Sequence, residues 1–488
     1  MKRKIIAPSL ILVVSLLFAW PPPSAPTAKA KLSPALAAEL AGLPAGKTRP
    51  VWVYLADKGF DPDSKGVLKT ALREREQTLR QRCRQRRAKA RPGQGLVGFE
   101  DIAVFPAYAE RVRTLVPRVR AVSRWLNALS VEAGSREVEA LAALGFVRRL
   151  EPVASYRPGG DDQSLEIPPF FMQEPLLSRL YGPSAGQLRQ INVPALHSLG
   201  LSGQGVIVCL LDSGFHKSHP AFYAAHLLAE WDFVNGDGDV QQDRSDPNDY
   251  SDSHGTGTWS ALGGFFFGRL IGPAFGAEFI LGKTETDRFE RVIEEDYWVA
   301  GIEWAESLGA DVVSSSLGYT DWYTFKNMDG KTAVTTRAAD RAADLGVVVV
   351  NAAGNERGSS WGHIIAPADG FKVVAVGAVN SSGHIASFSS PGPTYDGRIK
   401  PEVCALGVNT WIARLDAQGS PTFGAGSGTS FATPLVAGVA ALLLEAHPDW
   451  TPADVRAALL ATASQSGSPD NNYGWGIVNA LAATQYSR

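Results

Sequence analysis

The sequence predicts an α/β protein: a three-layer α/β/α domain around a mostly parallel sheet, with a small α+β domain ahead of it. Three observations carry that expectation. After residue 190, unbroken apolar runs of strand length alternate with helical stretches, the pattern of parallel strands covered on both faces. Ahead of them lies a short unit that reads strand, helix, strand. The charge also changes sign between the two: residues 31–160 hold 24 Lys and Arg against 13 Asp and Glu, and residues 161–488 hold 19 against 36. Opposite signs in one chain attract, so the basic unit is expected to be a partner of the acidic one and not a nucleic-acid arm. With 488 residues, 45% of them hydrophobic and 20% charged, the chain is long enough for two domains and is neither disordered nor fibrous.

Lys2, Arg3 and Lys4 precede an apolar stretch from Leu10 to Trp20, then prolines, then Ala28-Lys29-Ala30. Residues 1–30 therefore read as an export signal with a small-residue cleavage pattern. The apolar stretch is short for a bilayer, so removal is expected in place of retention as an anchor, and no later segment reads as a membrane span. A secreted, periplasmic or cell-envelope location follows. The three cysteines, Cys83, Cys209 and Cys404, lack metal-ligand spacing and read as buried thiols, not as a Cys209–Cys404 bridge.

In the small unit, Val51 to Leu55 is strand-like. Leu72 to Ala90 reads as one highly charged helix whose arginines form a solvated face. Trp125 to Glu132 alternates as a strand, Val138 to Leu144 has helical spacing that stops at Gly145, and Phe146 to Leu150 returns to strand. The unit contains no histidine, which argues for an accessory role. Residues 155–186, with Pro158-Gly159-Gly160-Asp161-Asp162 and further prolines, read as an exposed linker. The domains are accordingly placed at 31–158 and 191–488, with 159–190 between them.

In the larger unit, strands are expected at Val206 to Leu211, Ala310 to Ser316, Gly346 to Val350 and Val373 to Gly377, with helices at Trp298 to Leu308 and Thr332 to Leu345. Functional groups should lie at the carboxyl ends of such strands. Asp212 follows the first run directly. His254 stands in the polar, glycine-rich stretch Ser251 to Thr258. Asn355 closes Ala352-Ala353-Gly354-Asn355 after the third run. Ser430 lies in Gly428-Thr429-Ser430-Phe431-Ala432-Thr433-Pro434, ahead of a long apolar helix whose start Pro434 should fix by sitting in its first turn. Each has an ordinary reading: turn residue, cap, left-handed Asn, helix N-cap. Together they supply a carboxylate, an imidazole, an amide donor and a hydroxyl. A serine hydroxyl needs an imidazole to take its proton, the imidazole needs a carboxylate to hold it, and the oxyanion needs a donor.

These stretches, with His219-Pro220, His254-Gly255-Thr256-Gly257-Thr258, Ser315-Ser316-Leu317-Gly318 and Gly474-Trp475-Gly476-Ile477-Val478-Asn479-Ala480, resemble the subtilisin-like serine proteases, or subtilases, over residues 181–485. The chain order Asp, His, Ser is also the subtilisin order. The resemblance implies that Asp212 orients the base, His254 is the base and acid, Ser430 is the nucleophile and Asn355 the oxyanion donor. It implies that Ser316, Leu317, Gly318 and Gly354 bind the substrate, the first three by pairing with its backbone. It further implies a propeptide at 31–158 that inhibits the enzyme and helps it fold, released by cleavage between Val153 and Asp162. Substrates would be polypeptides, no cofactor would be needed for the chemistry, and the enzyme would be a monomer. Two other classes, a binding protein on the same fold and an esterase, are disfavoured by the filled reacting positions and by the motif order.

Three departures from the family pattern stand out. Gly257 occupies a position where many relatives have a second histidine, Phe431 follows the nucleophile where many have Met, and Ile365-Ala366-Pro367 lies where the family builds part of the pocket for the residue before the cut. An apolar preference is expected from the last. An oxygen-rich stretch of Asp232, Asn235, Asp237, Asp239, Asp243, Asp246, Asn248, Asp249 and Asp252 reads either as a structural calcium site or as a solvated acidic loop; it lacks the glutamate spacing of an EF-hand.

Overall fold

The computed structural model describes residues 28–61, 63–156, 179–241, 252–285, 293–416 and 418–488. The larger domain is built on seven strands in the order Val403–Leu406, Val374–Val379, Val348–Ala352, Val312–Ser315, Ile207–Asp212, Glu278–Lys283 and His226–Asp232. Every neighbouring pair is parallel. Ile207–Asp212 feeds both wings of the sheet, so its carboxyl end is the point where the winding reverses and a cleft opens. Side chains leave its two faces in turn: Val208 and Leu210 enter one core, Ile207, Cys209 and Leu211 the other. The first core is shared with the helix Thr429–Ala446, the second with the helices Glu295–Leu308 and Val334–Asp344. This is the three-layer arrangement that continuous apolar strands require. Thr429–Ala446 is, among the described residues, the one helix long and apolar enough to cross a membrane, but it is buried inside the domain.

The small domain is a four-stranded antiparallel sheet, in the order Arg118–Ser123, Ala128–Ala133, Arg49–Leu55, Val147–Pro152. Its central strand explains how it docks. Val51, Val53 and Leu55 point into the domain's own core, while Trp52 and Tyr54 join Trp298, Val299 and Ile302 in a core shared with the larger domain. The sheet thus lies across the helix Glu295–Leu308.

Several expectations change. Leu72 to Ala90 is two helices, Lys65–Gln77 and Gln81–Ala90, because the chain turns extended at Arg80. Its arginines are not a solvated face: Arg86 and Arg87 are buried against the larger domain. Trp125 to Asn127 forms a turn, with Asn127 left-handed, and the strand begins at Ala128. Arg118–Ser123 is a strand that periodicity did not reveal, since Arg120 faces inward to meet Asp296. Part of the linker is ordered. Ser155–Tyr156 pairs with Ile293–Glu294, and Tyr181, Ala185 and Leu188 are buried in the larger core, so the chain has joined that domain before residue 190. Residues 157–178 lie outside the described residues. The cysteines are free and buried, as expected.

Candidate active site

Asp212 ends its strand with only 1% of its surface exposed. Oδ1 accepts the backbone N–H of Ser213 at 2.8 Å and Oδ2 accepts the hydroxyl of Thr258 at 2.9 Å, so the carboxylate cannot rotate. His254 lies in the first turn of the helix Asp252–Gly263, with Nδ1 at 2.7 Å from Asp212 Oδ1. A carboxylate on Nδ1 holds that nitrogen as the N–H and leaves Nε2 basic. The close seating of helix on strand end needs Gly255, where a Cβ would fall 2.1 Å from the carbonyl oxygen of Gly214.

Ser430 is the second residue of the helix Thr429–Ala446, where backbone N–H groups have no partner within the helix. Its hydroxyl donates to the carbonyl of Ser316 at 3.3 Å. Asn355 clasps the start of the same helix: Oδ1 accepts both the N–H of Thr429, at 3.0 Å, and its hydroxyl, at 2.9 Å. Two donors on one atom settle which end of the amide is oxygen, so Nδ2 is the remaining donor. Pro434 is not in the first turn. It is the sixth residue of the helix, tolerated because the carbonyl it leaves without an N–H finds another donor, the hydroxyl of Ser316 at 2.8 Å.

Ser316, Leu317 and Gly318 run on from the strand Val312–Ser315 toward the same cleft. Asn351 Nδ2 donates to the Leu317 carbonyl at 2.9 Å. Ile365 packs between Gly318 and Gly354: a Cβ on either glycine would strike its side chain, at 2.1 and 3.1 Å. The structure thus joins Asp212 to His254, sets the His254 ring beside Phe431, joins Ser430 to Ser316, ties Asn355 to the residue before Ser430 and sets Gly318 and Gly354 on either side of Ile365. Reading the sequence missed Thr258, Thr429 and the Ser316 hydroxyl, whose partners are far along the chain and leave no local signal.

Gly257 and Phe431 prove to be one packing solution. The Phe431 ring lies 5.7 Å from the His254 ring, and a Cβ at position 257 would meet Phe431 Cε1 at 3.1 Å and Ile412 Cδ1 at 2.9 Å. A histidine there has no room. Phenylalanine lacks the sulfur that peroxide converts to a polar sulfoxide, so full activity is expected to survive mild peroxide treatment. Rapid inactivation with the chain intact would refute this.

The oxygen-rich stretch does not form a cation cage among the described residues. Asp232 spends its oxygens on the N–H groups of Val234 and Asn235, the Asn235 amide and Lys283, and Asp239 is held by Gln241 N–H and Lys217. Such donors compete with a metal, and no cluster of metal-ligating side chains occurs among the described residues. Asp243, Asp246, Asn248 and Asp249 lie outside them.

The subtilase family profile matches residues 203–476. This chain belongs to the subtilase family. A second profile, described as the peptidase S8 propeptide domain of Bacteroidota, matches residues 50–164. The subtilisin of Bacillus pumilus is 39% identical over 304 residues, which is 61% of this chain and 98% of that one; subtilisin E of Bacillus subtilis is 37% identical over 322 residues, 64% of this chain and 75% of that one. Among solved structures, fervidolysin of Fervidobacterium pennivorans, a keratinolytic enzyme related to subtilisin, shares the fold with a TM-score of 0.60 at 22% identity, covering 91% of this chain and 62% of its own. This subtilase is a serine endopeptidase with a propeptide, and subtilisins need no cofactor for catalysis.

To the apolar core shared by the two domains the helix Glu295–Leu308 adds acidic groups that meet the propeptide. Asp296 pairs with Arg120 at 2.8 Å, Glu306 with Arg87 at 2.8 Å, and Glu295 accepts the Trp52 indole N–H at 3.2 Å and the Ala154 N–H at 3.0 Å. Burial pushes the Glu295 carboxyl up to about 8, against the donors that favour its charged form. A carboxyl raised by docking favours the docked state while it is protonated. Its contribution is full below the ordinary carboxylate value and is lost as pH rises through about 8. Inhibition by the propeptide should therefore weaken as pH rises from the ordinary carboxylate value of 4.5 to about 8 in the parent and less so in Glu295→Gln; identical pH profiles would rule out this role.

Proposed function

We propose that Asp212, His254 and Ser430 form the catalytic triad of this endopeptidase, with Asn355 as oxyanion donor and Ser316 to Gly318 as the strand that pairs with the substrate backbone. The observation that carries the proposal is the 2.7 Å contact between His254 Nδ1 and the immobilised carboxylate of Asp212, on a ring that packs against the residue after Ser430. Ser430 Oγ attacks the scissile carbonyl as its proton passes to His254 Nε2. The negative charge that develops on the carbonyl oxygen is met by Asn355 Nδ2 and the Ser430 N–H. Collapse expels the amine, which takes the proton from His254, and water repeats the sequence on the acyl-enzyme. Treatment of the mature enzyme with a fluorophosphonate is expected to stop casein hydrolysis and, with loss of fluoride, to leave its phosphonyl group on the peptide containing Ser430. Labelling of a different residue would sink the assignment.

The domain limits follow the same reading: a signal over residues 1–30, an inhibitory propeptide over 31–158, cleavage between Val153 and Asp162, and export of a monomeric enzyme. Amino-terminal sequencing of secreted protein tests both cleavages. Ile365 narrows the space between Gly318 and Gly354, which supports a preference for apolar side chains before the cut, to be read from a peptide library.

A further inference from the structure

We infer that the Ser316 hydroxyl is a positioning group for the nucleophile, supplying to the Ser430 carbonyl the hydrogen bond that Pro434 cannot give. In an α-helix the carbonyl of residue 430 is served by the N–H of residue 434. Proline has none, and a buried carbonyl without a donor is costly. Ser430 and Ser316 are both buried, and Ser316 Oγ donates to Ser430 O at 2.8 Å. One residue earlier the helix is served from within, Thr433 donating its hydroxyl to the Thr429 carbonyl at 2.8 Å. Ser430 is thus the place where the helix hands one of its carbonyls to another element.

That element matters. Ser316 continues from Val312–Ser315, a strand paired on both sides within the sheet, into the segment assigned to the substrate backbone. Residues 316 and 430 face each other through two bonds of opposite direction, Ser316 Oγ to Ser430 O and Ser430 Oγ to Ser316 O. The second is given up when the Ser430 hydroxyl attacks, because it uses the reacting atom. The first uses no reacting atom and persists, fixing the nucleophile's backbone against the strand that presents the substrate. A hydroxyl that fixes attack geometry affects the chemical step more than binding.

The inference rests on Ser430 being the nucleophile, and a double-mutant cycle separates the two. Full-length chains with Ser316→Ala, Pro434→Ala or both are expressed, and their matured products are compared per active site titrated with a fluorophosphonate. Ser316→Ala should lower kcat about three- to tenfold, the scale of one hydrogen bond, with little change in KM. In the Pro434→Ala background an N–H is restored to residue 434, so the same substitution should change kcat by less than about twofold. Should Ser316→Ala fail to mature while the double variant matures, the inference is also supported. Equal losses in both backgrounds, a loss confined to KM, or failure of both variants to mature would overturn it. If Ser430→Ala still hydrolyses casein, the nucleophile assignment itself is what fails.

Discussion

Alanine at position 430 should lower kcat by about 10⁶, the scale found when the nucleophile is removed from a subtilisin, while the protein folds as before. Ser430 sits where the helix Thr429–Ala446 begins, and its methylene remains in the alanine variant, so packing changes little. In the proposed triad the effect on chemistry is large because the role of His254 and Asp212 is to activate that one oxygen. Alanine at His254 should therefore cost a similar factor, and the double variant little more than either alone. Asn355 belongs to a different scale. Removing one oxyanion donor from a subtilisin costs about 10² to 10³ in kcat. Asn355→Asp keeps the oxygen that Thr429 clasps and loses the Nδ2 donor, so it distinguishes oxyanion stabilisation from support of the helix. Normal kcat in that variant would remove Asn355 from the mechanism.

Glu306→Ala should destabilise the docked propeptide by about 3 to 5 kcal/mol, as expected when one side of a buried ion pair is deleted. The Glu306 carboxylate receives Arg87 through two bonds, at 2.9 and 2.8 Å, and Arg86 through a third. Arg87 also meets Asp101 at 3.0 Å, and Asp101 in turn meets Arg341 of the subtilase domain at 2.9 Å. Deletion of Glu306 takes the carboxylate from two buried guanidinium groups, leaving Arg87 on Asp101 and Arg86 on the backbone carbonyls of Leu345, Ala310 and residue 306. Measured on full-length Ser430→Ala protein, where self-cleavage cannot intervene, the variant should unfold at lower denaturant and lose its propeptide faster to added trypsin. Unchanged unfolding would show that the network adds nothing to docking. Burial alone would raise the Glu306 carboxyl, but the Arg87 hydrogen bonds and the charges of Arg86, Arg87 and Arg124 outweigh it and hold it low. Its contribution is present above the ordinary carboxylate range and is lost as pH falls through the depressed value, the opposite sense to Glu295.

The proposed site residues stood out in the sequence because each has a distinctive local position, which the structure bears out: Asp212 at the end of an apolar strand, His254 and Ser430 in the first turns of helices, Asn355 after a strand and a glycine. Repeated short Val, Leu and Ile runs alternating with helical stretches likewise exposed the parallel sheet, since strands covered by helices on both faces are apolar on both sides. Charge asymmetry correctly paired the basic segment with the acidic domain.

What the sequence could not decide was which side of a polar residue faces a partner. Arg86 and Arg87 look like solvated charges in a run of arginines, and only the docked helix Glu295–Leu308 makes them interior. Gly257 looks like a missing histidine until Phe431 is seen filling its space, and Pro434 looks like a helix start until Ser316 is seen replacing its hydrogen bond. Local pattern determines which elements form, because propensity and burial period are written in neighbouring residues. Partners separated by a hundred residues or more are chosen by the tertiary fold, because only there do their distances become short enough for contact and hydrogen bonding to act.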